Sequence, residues 1–317
     1  IVVKAPYNLS VEEEVKIYEK LIGQATFGSV HIAPYTLYCA AMFAVLSRLK
    51  DSKHEGLSIM SKMKLYNNED VEGFSSSDVP LLRREFEAEG MSGVSPRYII
   101  NRISSSLTQD NADCLTPIDM IRSIRDGFSS NPKLDSKEIE RLENILTTVI
   151  EEYSKIARNE VQKAFFVNFE KEVQNLLSNY MDHVGSFLDG TTIEDEWGDF
   201  VEPNERLMRS IEEKVGISES GKKSFRQEIY RKMLKSARDG DGEYSYKDHV
   251  KLREALEKQL FDERQDVIRL TVSARNPDEE ELKRVNVVIA SLCDKYGYNA
   301  KSANRLLRYV SSLMARN

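Results

Sequence analysis

The sequence predicts a mainly α fold that ends in a helical bundle, and three features predict it. Apolar residues recur at spacings of three and four along most of the chain, Ser-Pro and Thr-Pro pairs mark helix starts, and residues 133 to 184 contain neither Gly nor Pro. With 317 residues, 40% of them hydrophobic and 31% charged, the chain can bury a sizeable core in one or two globular domains.

The opening Ile1 to Ala5 reads as a short β-branched strand halted by Pro6. Ser10 then precedes Glu12, Glu13 and Glu14, an N-cap followed by an acidic first turn, and Val15, Ile17, Tyr18, Leu21 and Ile22 continue at helical spacing. Pro34 begins a strongly apolar helix through Leu49, and shorter helices are expected around Leu57 to Leu65 and Val79 to Phe86. Asn67 to Asp70 and Gly73 to Ser77 have the composition of surface turns. Ser95-Pro96 and Thr116-Pro117 each place a capping hydroxyl before a proline at the first helical position, which starts helices through about Leu107 and Ile124.

A continuous helix over residues 133 to 184 would extend roughly 78 Å at 1.5 Å per residue, more than a compact domain spans. Leu142, Leu146, Val149, Tyr153 and Ile156 form a heptad-like stripe, but Glu160 and Lys163 occupy the next core positions, so either the helix breaks there or its buried face rotates. Without sustained heptads, packing inside its own domain is favoured over an intermolecular coiled coil, although a homo-oligomer stays open. Gly185 to Pro203 is the best boundary, a small hairpin or functional loop containing Asp189-Gly190, the acidic cluster Glu194-Asp195-Glu196 and the only Trp, Trp197. Helices are expected after it at Glu205 to Val215, Ser220 to Ser236, Tyr246 to Leu270, Asp278 to Tyr296 and Ala300 to Ala315, with Asn276-Pro277-Asp278 and Gly297-Tyr298-Asn299 between the last three.

Composition also narrows function. No apolar run approaches the roughly 20 residues needed to span a bilayer, so no membrane partner is expected. Cys39, Cys114 and Cys293 are scattered and odd in number, which suggests a reducing cytoplasm rather than a disulfide framework or zinc site. The start at Ile1, without Met or a secretory signal pattern, reads as a cut from a longer protein. Charge is uneven: residues 1 to 202 carry 21 Lys+Arg against 33 Asp+Glu, and residues 203 to 317 carry 24 against 19. A net charge of +5 on the second part is too small to call for nucleic acid.

The motifs that are missing say as much as those present. There is no GxxxxGK[ST], no GxGxxG, no HRD followed by Asn and no DFG, so no recognisable phosphoryl-transfer site lies in this chain. His31, His54, His183 and His249 are not spaced as metal ligands, and no Ser/His/Asp or Ser/Lys arrangement stands out for a protease. Asp239-Gly240-Asp241-Gly242-Glu243 imitates the start of a calcium loop, but Tyr244 and Val250 replace its Gly and closing Glu, leaving a turn. Lys222, Lys223, Arg226, Arg231, Lys232, Lys235 and Arg238, with Phe225 and Tyr230, make a basic amphipathic helix that is either a solvated face or a dock for an acidic partner. The sharpest positive signal is Gly90-Met91-Ser92-Gly93-Val94-Ser95-Pro96-Arg97-Tyr98. Arg97, in the first turn of a proline-started helix, is placed either to present a guanidinium fork to a phosphate or to serve as an ordinary surface arginine.

Several stretches resemble the PrkA family of bacterial serine protein kinases: Lys4 to Leu9, Val15 to Leu21, His31 to Pro34, Met42 to His54, Gly90 to Tyr98, Val161 to Phe165, Leu207 to Glu213 and Pro277 to Glu280. The resemblance spans nearly the whole chain. It implies an AAA+ helical lid-like subdomain after the last strand of an AAA+ core (residues 1 to 130), a long helical segment and acidic loop (131 to 202), and a carboxy-terminal helical bundle (203 to 317). It further implies that Arg97 is similar in position to the sensor-2 arginine of AAA+ proteins, which reaches the γ-phosphate. ATP and Mg would enter through an amino-terminal module, with none bound by this chain alone. The implied activity is serine phosphorylation of protein substrates in cytoplasmic stress, starvation or sporulation signalling. The alternative is a non-catalytic interaction and oligomerisation module of an AAA+ ATPase.

Overall fold

A computed structural model describes residues 5–23, 30–108, 113–131, 134–166, 170–194, 200–239, 245–273 and 279–315. The mainly α expectation holds: thirteen α-helices and two small two-stranded sheets are present among the described residues. The strand expected over Ile1 to Ala5 lies almost wholly outside them, as do most of the acidic cluster with Trp197, the calcium-loop-like turn and Asn276-Pro277-Asp278. The chain divides into two compact units, residues 1–160 with 292–310, and residues 161–291 with 311–317.

In the first unit, α1 (Val11–Gly23) and α6 (Pro117–Ser129) pack against α2 (Thr36–Arg48), and α5 (Pro96–Leu107) packs against α1 and α6. Helix α2 is the hub, because it is apolar on all sides and every residue from Cys39 to Leu46 is buried. It starts at Thr36 rather than Pro34: Tyr35 adopts a left-handed φ of 64°, so Pro34 belongs to the turn before the helix. A parallel pair, β1 (His31–Ile32) with β2 (Cys114–Leu115), ties the entry of α2 to that of α6. Thr116 and Asp119 form a full capping box at the start of α6, which runs past the expected Ile124 to Ser129 because Phe128 is also buried. Helices α3 (Ile59–Tyr66) and α4 (Val79–Arg84) complete this part, with Ser58 capping α3.

The described residues of the Gly- and Pro-free stretch form α7 (Ser136–Phe166) and α8, which extends beyond it (Glu170–Asp189). The two outcomes left open at Glu160 resolve into a rotation of the buried face within α7. Leu142, Leu146, Val149 and Tyr153 are buried as expected, but the stripe then passes to Ala157, Val161 and Ala164, while Ile156 is half-buried. One step of four where the heptad requires three is a stutter, which lets a straight helix keep one face inward. Glu160 is itself buried at that shifted face and accepts a hydrogen bond from the Tyr35 hydroxyl at 3.3 Å.

In the second unit, α8 packs with α9 (Glu205–Glu213), α10 (Lys222–Asp239) and α11 (Val250–Ser273). Gly185 is helical rather than the start of a loop, and the Tyr230 ring lies 3.1 Å from where its Cβ would be. The hairpin expected after it is present as β3 (Ile193–Glu194) antiparallel to β4 (Phe200–Val201). Helix α12 (Glu279–Tyr296) begins in this unit, and its end and most of α13 (Ala300–Met314) belong to the first.

The basic helix is only partly a solvated face. Phe225 and Arg226 are core residues: Arg226 donates to Glu212 at 2.6 Å and to Glu205 at 2.8 Å, and lies 4.4 Å from the centre of the Phe187 ring. Lys223, Arg231, Lys235 and Arg238 remain exposed. The Tyr180 hydroxyl donates to Glu212 at 3.2 Å, completing a buried charge network.

Candidate functional site

The Gly90 to Tyr98 segment is built onto the carboxy-terminal end of α2, and a buried ion pair fixes that end. Glu14 lies on the inner face of α1, one turn from both Val11 and Tyr18, with its side chain fully buried. It accepts from the Arg48 guanidinium at 2.8 and 2.6 Å and from the Tyr18 hydroxyl at 2.8 Å. Such a two-pronged carboxylate bond holds the guanidinium plane in one orientation. Burial and the neighbouring Glu14 carboxylate push the Tyr18 phenol well above its ordinary range, so it remains a donor.

Arg48 then reaches the loop. Its Nε donates to the Val94 carbonyl at 3.0 Å and one terminal nitrogen to the Asn8 carbonyl at 2.8 Å, while Tyr7 lies under the guanidinium. The Val94 amide donates to Ser47 Oγ at 2.8 Å, and Arg141 of α7 donates to the Ser47 carbonyl at 2.8 Å. Tyr7 and Gly90 add a backbone bond of 2.8 Å.

Two glycines make this approach possible. Gly93 has φ +107°, and a Cβ there would lie 2.6 Å from the Ser47 carbonyl oxygen and 2.9 Å from Arg48 Cγ. Gly90 has φ +81°, with Tyr7 O 3.2 Å from its would-be Cβ. The glycines therefore serve close packing of the loop against α2.

Ser95 caps α5 by accepting from the Tyr98 amide at 3.3 Å, and Pro96 opens the helix as expected. Tyr98 anchors the first turn through its hydroxyl, which donates to the Ile124 carbonyl at 2.8 Å; burial pushes that phenol up to about 12. Arg97, one residue earlier, is exposed and has no hydrogen-bond or ion-pair partner among the described residues. It stands at the amino-terminal end of α5, where the helix dipole adds positive potential. Hollows flank the segment on two sides, one of ≈ 290 Å³ lined in part by Tyr7, Val94 and Tyr98, the other of ≈ 990 Å³ lined in part by Lys50, Ser92 and Arg141.

This arrangement can offer one guanidinium and a helix end to an anion. It does not form a nucleotide cradle: no GxxxxGK[ST] turn exists in the sequence, and among the described residues no group of three or more His, Cys, Asp or Glu side chains could hold a metal. The residues fit a single contact to a phosphate, and no reaction step through ATP or Mg can be assigned to them. The fully buried Lys62 is bonded to Glu89 at 2.6 Å and to the Lys50 carbonyl at 3.1 Å, in a structural network with Tyr66. Cys39 is fully buried, and burial pushes its thiol far up.

Reading by motif located the loop and Arg97 but missed the Glu14–Arg48–Tyr18 network that supports them. Its signal was available, since Glu14 falls on the apolar face of an amphipathic helix and Arg48 closes an otherwise apolar one.

Residues 60–309 match the family described as PrkA serine protein kinase C-terminal domain, and residues 1–56 match the PrkA AAA domain. Among curated proteins, the chain is 45% identical over its whole length to "ATP-dependent protease PrkA" of Bacillus subtilis, covering 50% of that protein. It is 26% identical over 97% of its length to "Serine/threonine kinase YeaG" of Escherichia coli K12, covering 48% of that protein. The chain thus spans about half the length of the curated relatives it matches. No solved structure matches it.

Proposed function

The chain belongs to the PrkA family, and from that premise we propose that it is the lid and carboxy-terminal region of an ATP-driven protein that acts on other proteins. The relatives' names differ on the chemistry, protease for one and serine/threonine kinase for the other. Both are consistent with an AAA+ machine whose nucleotide state controls action on a protein substrate. Of the two, we favour serine phosphorylation, in line with the matched family's description; its setting in our reading is cytoplasmic stress, starvation or sporulation signalling.

The observation that carries this reading is Arg97. Arg97 is exposed at a helix start, without a partner among the described residues, on a loop whose backbone is clamped to buried α2 through Gly93 and Arg48, so its guanidinium is free to receive an anion. In the longer protein, an amino-terminal module would hold ATP and Mg, and Arg97 would offer its guanidinium to the γ-phosphate, where it would stabilise negative charge. A lid that gains or loses such a contact with nucleotide state would shift its helices accordingly. A second reading, a regulatory interaction module without chemistry of its own, draws support from the lack of a phosphate cradle in this sequence.

The test compares the 317-residue chain, the longer protein and its Arg97→Ala variant, each incubated with γ-labelled ATP and a generic protein acceptor. The reading expects transfer by the longer protein, a loss of about 10²-fold or more in Arg97→Ala, and none by the chain alone. Transfer by the 317 residues unaided would contradict it, and undiminished transfer by Arg97→Ala would remove the arginine from the account.

A further inference from the structure

The first unit holds a second concentration of arginine that the lid reading does not use. A cavity of ≈ 520 Å³ opens between the start of α6, the middle of α7 and residues 298–309, with Arg122, Arg305 and Arg308 among its lining residues. Arg305 is already engaged, donating to Asp119 at 2.7 Å. The same Asp119 oxygen also accepts from the Thr116 hydroxyl at 2.7 Å, so the charge of Arg305 is offset by the acid that faces this cavity. Arg122 and Arg308 are exposed and have no hydrogen-bond or ion-pair partner among the described residues. The cavity therefore carries two uncommitted positive charges.

Its walls are not those of a random surface dent. Tyr309 stacks on Tyr153 with ring centres 5.5 Å apart, and its hydroxyl is 2.8 Å from Ser154 Oγ, which fixes a flat aromatic surface beside the arginines. Tyr298, only 6% exposed, also lines the cavity, and its hydroxyl is buried without a partner among the described residues. The positive end of α6 adds potential; residue 117 is proline, and the Thr116 and Asp119 amides are taken within the capping box.

We propose that this cavity binds a small organic phosphate, with Arg122 and Arg308 holding the phosphoryl group and Tyr309 packing against the organic part. Guanidinium forks match phosphate oxygens in pairs, and two of them ask for a ligand with at least two negative charges. The volume falls within the 300–1,000 Å³ or so of typical small-molecule sites and exceeds what a bare phosphate would fill. A nucleic acid would call for basic residues extended along a face, whereas here they converge on one hollow. This site is distinct from Arg97, which does not line the cavity.

Calorimetric titration of the 317-residue chain with inorganic pyrophosphate and, separately, with adenosine monophosphate tests the assignment. Both should bind saturably at one site, and adenosine monophosphate binding should also weaken when Tyr309 is replaced by Ser. Arg122→Ala and Arg308→Ala should each lower affinity by about tenfold. Arg97→Ala and Arg125→Ala, the latter removing an arginine of α6 that pairs instead with Glu143, should leave binding unchanged. No binding of either probe at millimolar concentration, binding retained by the Arg122→Ala/Arg308→Ala double variant, or loss of binding on Arg97→Ala would each overturn the site. Tighter binding of a single-stranded oligonucleotide than of the small probes would also overturn it.

Discussion

Replacing Gly93 by alanine should be among the most damaging single-methyl additions to this chain. Two costs combine there. At φ +107° a non-glycine residue costs about 1–3 kcal/mol. The added Cβ would also stand 2.6 Å from the Ser47 oxygen, 2.9 Å from the Ser47 carbonyl carbon and 2.9 Å from Arg48 Cγ. None of these can yield cheaply, because the Ser47 carbonyl accepts from Arg141 and the Arg48 side chain is locked on buried Glu14. Forcing them apart adds about 1–3 kcal/mol. The sum is about 4 kcal/mol, which for a unit of this size lowers the melting temperature by about 8–16 °C. Two other glycines calibrate the figure. At Gly90 the nearest atom is 3.2 Å away, so the cost should be smaller; at Gly73, with φ +79° and nothing within 4 Å, only backbone strain of about 1–2 kcal/mol remains. Thermal unfolding of the three alanine variants, followed by circular dichroism, should rank Gly93 first, then Gly90, then Gly73. A Gly93→Ala variant no less stable than Gly73→Ala would refute the claim that the loop is clamped onto α2.

Other outcomes follow from the same geometry. Glu14→Leu and Arg48→Met should each cost about 3–5 kcal/mol in urea denaturation, while the double variant Glu14→Leu/Arg48→Met should cost less than the sum, because a single replacement leaves a buried charge unpaired. Leu146→Ala should destabilise by about 2–5 kcal/mol without changing the mass seen by light scattering, since this stripe of α7 is buried within the chain itself. The hydrogen bond from Arg226 holds the Glu205 carboxyl below its ordinary value, so the unfolded chain binds more protons there than the folded one at acid pH. That stabilisation is present above the unfolded carboxylate value of about 4.3 and is lost as pH falls through the lower folded value, so stability should rise with pH across this window and rise less steeply in Glu205→Gln.

Much of the fold was legible because helix starts are chemically explicit. Ser95-Pro96 and Thr116-Pro117 capped the helices they announced, and Leu142 to Tyr153 faced the core. Pattern failed where tertiary packing chose between near-equal options. Ala157 took the buried place that Ile156 held in the heptad, because a straight helix drifts against a seven-residue repeat. Arg226 read as part of a solvated basic face, yet it is buried, since Glu205 and Glu212, far from it in sequence, satisfy its charge. For the same reason the loop bearing Arg97 was visible as a motif while its support was not. Glycine spacing is local information, but the Ser47 carbonyl and the Glu14–Arg48 pair that give those glycines their purpose belong to other helices.

The central claim, that residues 90 to 107 form a lid element answering to nucleotide through Arg97, is tested most directly by hydrogen exchange in the longer protein. With a non-hydrolysable ATP analogue present, amides of Tyr98 and the following turn of α5 should exchange more slowly than with ADP, and the difference should vanish in Arg97→Ala. Equal exchange in both nucleotide states, or a difference that survives the loss of Arg97, would contradict the account.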